Sequence, residues 1–271
     1  PQEKITMFGN ASLNFTVPNY QVVPNWFLEH TNIYSDTAWG QHLLSTLEYK
    51  LNRPKKFDCL LGGEKPHRDT IEKFYKNSKF CNDFIFTYFK DNLHNGIWPH
   101  PIKNQPGTAD LVKIQKVKPN DMSHMRISHI LPVEIYNQSY YSIVAETFPS
   151  NAHSHYTEKT AKPIIAKRPF IMFSGQYFLR NLRSLGFKTF GSVIDETYDT
   201  IENHDKRYEA AWTQVEWLCQ QNPDDIINEL TEILEYNHQH FMSTNWHQPI
   251  FSCIDDLKIN WYTVRESNPS Y

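Results

Sequence analysis

Short apolar runs alternate with helix-like stretches along most of this chain, and no other feature limits its possible folds so much. FDCLL (57–61) leads through Gly62-Gly63 into a helix-like stretch from Pro66 to Lys76. NDFIFTYF (82–89), YYSIVAET (140–147) and PFIMF (169–173) read as further strands, and Thr157 to Ala166 and Gln176 to Leu185 as helices, the latter ended by Gly186. Strands separated by helices make βαβ crossovers, so the expectation is an α/β fold on a parallel sheet.

The flanks are less regular. ITMF (5–8) and YQVV (20–23) read as short strands and Trp39 to Tyr49 as a helix. Residues 91–120 form a Pro-, Asn- and Gly-containing excursion with one strand, LVKIQKVK, and PVEIYNQ is a helical turn. Two longer helices close the pattern. In 205–221, Tyr208, Ala211, Trp212, Val215 and Leu218 recur at helical spacing. The second helix opens Asn222-Pro223-Asp224-Asp225, with an apolar face of Ile226, Leu230, Ile233, Leu234 and Phe241. A cap, a proline in the first turn and two acids at the positive end of the dipole mark a helix start rather than a metal-binding pair.

With 271 residues, 39% of them hydrophobic, the chain has ample material for a core, which excludes long disorder and a disulfide-stapled miniprotein. A net charge of −3 argues against a nucleic-acid binder that works by bulk electrostatics. Cys59, Cys81, Cys219 and Cys253 form no CxxC pair and read as reduced thiols. No apolar run approaches the ~20 residues of a membrane span, and no basic-then-apolar leader opens the sequence. The expectation is a cytoplasmic protein (in the host cytoplasm if phage-encoded), with the sequons at Asn10, Asn14 and Asn137 silent.

Two segments carry candidate chemistry. In AETFPSNAHSHYTEK a strand ends at Glu146, Thr157 stands where a helix N-cap belongs, and Glu158 suits the first turn. Lys159 does not, because a cation there opposes the helix dipole; an anion docked on the free N–H groups would explain it. The plain alternative is two solvated side chains, with Lys162 paired to Glu158 across one turn. In the second segment, KKFDCLLGGEKPHR, Gly62 and Gly63 give the backbone room near a phosphate, and Arg68 brings a bidentate donor. It is neither GxGxxG nor a P-loop, and alone the glycine pair reads as a turn.

Together, K-F-x-C-L-L-G…R…F-Y and Y-T-E-K-x4-I-x4-P-F-I-x-F resemble the donor-binding half of GT-B nucleotide-sugar glycosyltransferases, nearest to α-1,3-fucosyltransferase-like enzymes. PHRDTIEKFY and TEKTAKPIIAKRPFIMFSGQYFLRNLRSLGFKTF…VIDETYD are also similar to uncharacterised glycosyltransferase-like proteins of bacteria and bacteriophages. The resemblance covers about residues 55–220. It implies a Rossmann-like parallel sheet as a GT-B-like donor domain over 56–271, with C-terminal helices, after an abbreviated acceptor-side α/β portion, 1–55. It implies a nucleotide-sugar as co-substrate and no metal or other cofactor. Glu158 would bind the donor ribose, Arg68 and Lys159 the diphosphate, and Glu146 would be a second donor-site acid, with Lys162, Gly62 and Gly63 around them.

The family carries a full acceptor domain that supplies the catalytic base, whereas only about 55 residues precede the matching region. A protein partner or a second copy completing that side is therefore expected. Glu29, His30 and Asp36 are the base candidates within this short region, each also readable as an ordinary surface or structural residue. The acceptor is open between a glycan and a hydroxymethylated DNA base, and a non-catalytic nucleotide-binding or assembly protein is the alternative to an enzyme. The basic residues Lys50, Arg53, Lys55, Lys56, Lys113, Lys116 and Lys118 read as a solvated face or a path for nucleic-acid backbone. His153-x-His155 and His238-x-His240 with His247 lack a completing acid or cysteine and read as structural, with phosphate contact a lesser role for the first pair.

Overall fold

Parallel pairing needs a crossover between strands, and the alternation of apolar runs with helices supplies one each time. The computed structural model describes residues 6–49, 52–89 and 127–255. It is α/β, built on a four-stranded parallel sheet. The chain runs β1 (Met7–Gly9), β2 (Ala11–Leu13), β3 (Tyr20–Val22), α1 (Asn25–Asp36), α2 (Ala38–Ser45), β4 (Lys55–Gly63), α3 (Pro66–Asn77) and β5 (Phe84–Phe89). There follow α4 (Val133–Tyr136), β6 (Ser139–Ala145), β7 (His153–His155), α5 (Glu158–Ile165), β8 (Phe170–Phe173), α6 (Phe178–Ser184), α7 (His204–Gln220) and α8 (Pro223–Ser243).

The main sheet has the order β5-β4-β6-β8, every neighbour pair parallel. Every residue of β6 and β8 is buried, as expected of parallel strands covered on both faces. From β4 the chain steps outward to β5, then returns to add β6 on the other side of β4, so the direction of winding reverses between β4 and β6. At the N-terminal end of the sheet, Arg168 closes the layer. Its guanidinium donates to Asp58, to the Ser139 hydroxyl and to the carbonyls of Tyr136, Ser139 and Tyr141, all while 2% exposed.

Two smaller pairings fasten the flanks. β1 pairs with β3 in parallel, and β2 with β7 antiparallel, Ser12 facing Ser154. Phe27 of α1 packs within 6 Å, ring to ring, of Tyr156, Phe187, Phe241 and Trp246, so the first helix shares one aromatic core with the last.

The expected strands and helices recur with small shifts at their ends, and Asn222 caps α8 as its sequence implies. α1, β2 and β7 were not foreseen; the sequence reads His153 to His155 as part of a loop. Gly62 and Gly63 are not a turn: parallel pairing with β5 carries β4 through both, past a register shift, to Gly63 opposite Phe89. The strand expected at LVKIQKVK lies outside the described residues. Among those described, no helix is long and apolar enough to cross a membrane.

Candidate functional site

In open α/β sheets, ligands bind beyond the carboxyl ends of the strands, at the point where the winding reverses. Here that point lies between the ends of β4 and β6: Gly62 and Gly63 end β4, and the segment after it carries Lys65 and, at the start of α3, His67 and Arg68, while the segment after β6 runs from Glu146 to Lys159 at the start of α5.

The first of these segments is shaped by the glycines that end β4. A Cβ on Gly62 would stand 3.3 Å from Arg68 Nη1, tighter than an ordinary contact, so the missing side chain leaves the guanidinium its place. Arg68, 4% exposed, uses that space to donate from Nη1 to Gly63 O. Beside it, His67 Nε2–H donates to Glu146 O at 3.0 Å and so ties the two loops together. Burial, then the Arg68 charge, holds the His67 pKa down at about 4, which keeps the ring neutral.

The second loop is organised by one carboxylate. Glu146, 0% exposed, accepts four hydrogen bonds. Oε1 takes them from Thr157 N at 3.1 Å and Thr160 Oγ1 at 2.6 Å, and Oε2 from Thr147 N at 3.1 Å and Thr157 Oγ1 at 2.6 Å. These fill the lone pairs of an ionised carboxylate. In this structure Glu146 holds the end of β6 against the first turn of α5.

Thr157 caps α5, its Oγ1 accepting from Lys159 N at 3.3 Å. Lys159 Nζ reaches back to Thr147 Oγ1 at 3.2 Å and pairs with Glu158. Burial pushes the Glu158 pKa up, but Lys159 and Lys162 outweigh it and bring it to about 2. Lys162 is 8% exposed, and burial lowers its pKa to about 8 against the opposing pull of Glu158. Lys65 stands 4.7 Å over the ring of Phe148, which is 52% exposed and lies 5.7 Å from the ring of His155.

The charges of Arg68 and Lys159 both act on Lys65, and those of Glu158 and Glu146 on Arg68. Residues of 62–68 and of 146–162 therefore meet at the carboxyl end of the sheet, and all seven donor-side candidates lie within these two segments.

The base candidates sit on α1, which packs against α5. Glu29 is 51% exposed and pairs with His129 at 3.2 Å, and the Trp26 ring lies 5.8 Å from that of His129. His30 is fully buried, its ring nitrogens facing Trp26 O and Ser128 O. Burial first, then Lys162, lowers its pKa to about 4. Asp36 is exposed at the last turn of α1.

Other candidates are absorbed into structure. Arg53 donates to the carbonyls of Tyr136, Ser139 and Glu48, Lys55 to Asn82 O, and Lys56 to the carbonyls of Cys219 and Gln221. Lys50, Lys113, Lys116 and Lys118 lie outside the described residues. His238 bonds Ile165 O and His240 bonds Leu185 O. Among the described residues, no three His, Cys, Asp or Glu side chains gather as metal ligands. Sequence reasoning placed Tyr208 in the core and passed over Arg207 and Ser174. The structure leaves Tyr208 Oη, Arg207 Nη2, Ser174 Oγ and Arg68 Nε buried without hydrogen-bond partners.

No protein-family model, curated protein or solved structure matches the chain.

Proposed function

We propose that this chain is a nucleotide-sugar glycosyltransferase with a Rossmann-like, GT-B-type donor half, the donor diphosphate docking between the ends of β4 and β6. The observation that carries this reading is the meeting of Arg68 with the Thr157–Glu158–Lys159 helix start at the winding reversal, bridged by the contact of His67 with Glu146.

In sugar transfer, the acceptor hydroxyl oxygen bonds to the anomeric carbon as the bond from that carbon to the phosphate oxygen breaks. Negative charge grows on the departing nucleoside diphosphate. Arg68 and Lys159, held in place before reaction, stabilise that charge without reorganisation, so the reading needs no metal ion. Glu158, ionised well below neutral pH, is suited to accept hydrogen bonds from the ribose hydroxyls. Exposed Phe148 offers the base a flat face, and Glu29, half-exposed and steadied by His129, is the better placed candidate to take the acceptor proton.

UDP-, GDP-, CMP- and dTDP-linked sugars added in turn should include one that raises the melting temperature of the wild type but not of Lys159→Ala. No stabilisation by any donor, or equal stabilisation of the variant, would sink the proposal. Donor binding without transfer to any acceptor and without slow donor hydrolysis would favour a non-catalytic nucleotide-binding protein instead.

A further inference from the structure

Lys65 Nζ stands 4.7 Å over the ring of Phe148, which is 52% exposed. One residue earlier in the same segment, Thr147 Oγ1 accepts from Lys159 Nζ at 3.2 Å. Two ammonium groups, one from the residue that precedes α3 and one from the first turn of α5, thus reach adjacent residues from the two sides of the winding reversal. Arg68 lies in the same turn as Lys65, its backbone N–H donating to Lys65 O at 2.9 Å.

The two lysines differ in what holds them. Lys159 has the Thr147 hydroxyl and the Glu158 carboxylate. Among the described residues, no oxygen accepts a hydrogen bond from Lys65 Nζ, and its partner is the ring. An ammonium carries three N–H donors, and a phenyl face attracts its charge without satisfying them, weakly where the ring is exposed. Burial first, then the charges of Arg68 and Lys159, lower the Lys65 pKa. A phosphate oxygen would supply both the acceptor and the opposite charge, and the flexible four-carbon stem lets the ammonium swing to it. Phe148 is in turn suited to a different partner. Its ring is steadied by that of His155, 5.7 Å away on β7, and nucleobases of any kind stack on such a face.

We propose that Lys65 is a binding residue for the donor diphosphate and rests on Phe148 until a nucleotide arrives: the nucleobase takes the ring, and the ammonium moves to a phosphate oxygen. The proposal rests on the donor-site reading above and adds to it a third cation and a coupling between base and diphosphate.

Calorimetric titration with UDP, GDP, dTDP and inorganic pyrophosphate tests it on the wild type, Lys65→Gln, Phe148→Leu and Lys159→Ala. Lys65→Gln should weaken nucleotide and pyrophosphate binding alike, by about tenfold, the scale of one hydrogen bond to a charged acceptor. Phe148→Leu keeps apolar bulk but loses the flat face, so the two kinds of probe should part. The nucleotide should bind about fivefold or more weaker, and pyrophosphate as well as before or tighter, because the ring no longer competes for Lys65. Neither side chain is buried, so both variants should melt within about 2 °C of the wild type. Unchanged affinity in Lys65→Gln overturns the inference; if Lys159→Ala loses binding in that case, the donor-site reading stands without it. A Phe148→Leu variant that weakens both kinds of probe equally, or leaves nucleotide binding unchanged, also overturns it, as does a wild type that binds pyrophosphate but no nucleotide. Weaker binding that comes with a lower melting temperature overturns it as damage to the fold. A wild type that binds none of the four probes overturns both.

Discussion

Replacing Glu146 by Gln separates two roles for this acid, ligand of a donor and internal clamp, because the roles predict opposite results. Each carboxylate oxygen accepts one backbone N–H, Thr157 N on Oε1 and Thr147 N on Oε2, and one hydroxyl. Glutamine turns one of those oxygens into an NH2 donor. A threonine hydroxyl can rotate to accept from it; a backbone N–H cannot. Whichever way the amide sits, one backbone N–H is left facing a donor, and the bonds that remain lose their charge assistance. At ~1.5–3 kcal/mol for a hydrogen bond to a charged group, with about two such bonds forfeited, the expected loss is about 3–6 kcal/mol. For a chain of this size that corresponds to a fall of roughly 10 °C in melting temperature. Urea titration followed by far-UV circular dichroism reads the loss directly. Thr160→Val, which removes one of the two hydroxyl donors, should cost a part of it. A Glu146→Gln variant within about 1 kcal/mol of wild type, but unable to bind donor, would refute the clamp and restore the ligand role.

Three further outcomes follow from the geometry. Glu158, brought to about 2 chiefly by Lys159 and Lys162 against the opposing effect of burial, contributes stability that is present above its usual value of 4.5 and lost as pH falls through about 2. The stability gap between wild type and Glu158→Gln, measured by denaturant titration, should therefore narrow over that window and stay level above pH 5. Gly62→Val should crowd the Arg68 guanidinium and weaken pyrophosphate binding at least several-fold in calorimetry, with a smaller effect from Gly62→Ala. Arg168→Met leaves the buried Asp58 carboxylate without its cation and should cost about 3–5 kcal/mol in urea titration, whereas replacing both partners with apolar residues should recover much of it.

The sheet was legible because its signals are local. Apolar runs such as FDCLL and PFIMF are bounded by Gly, Pro or caps, and Asn222-Pro223 announces α8 by itself. α1 was missed because its N-cap, Pro24, has no side-chain oxygen to bond the first turn, and its buried face includes His30, a polar residue that breaks the apolar periodicity. Glu146 stands out in the sequence as an acid at a strand end, whereas its hydrogen-bond partners do not. Its partners Thr157 and Thr160 lie 11 and 14 residues on, and only closure of the intervening loop brings their hydroxyls to it. The core position of Tyr208 followed from helical spacing, whereas an unpartnered hydroxyl is a property of the surroundings and leaves no trace in spacing.

The antiparallel pair of β2 with β7 has a consequence in time. Ser12 Oγ and Tyr156 Oη lie 2.7 Å apart across 144 residues of chain. At ~5–20 residues per second of synthesis, β2 waits roughly 7–30 s on the ribosome for its partner. The loop from Glu146 to Thr157, which β7 anchors, can settle only once the early strand has been kept unpaired and accessible for that interval. Slowing translation between residues 13 and 153 should thus lower the yield of correctly closed protein more than slowing it after residue 165.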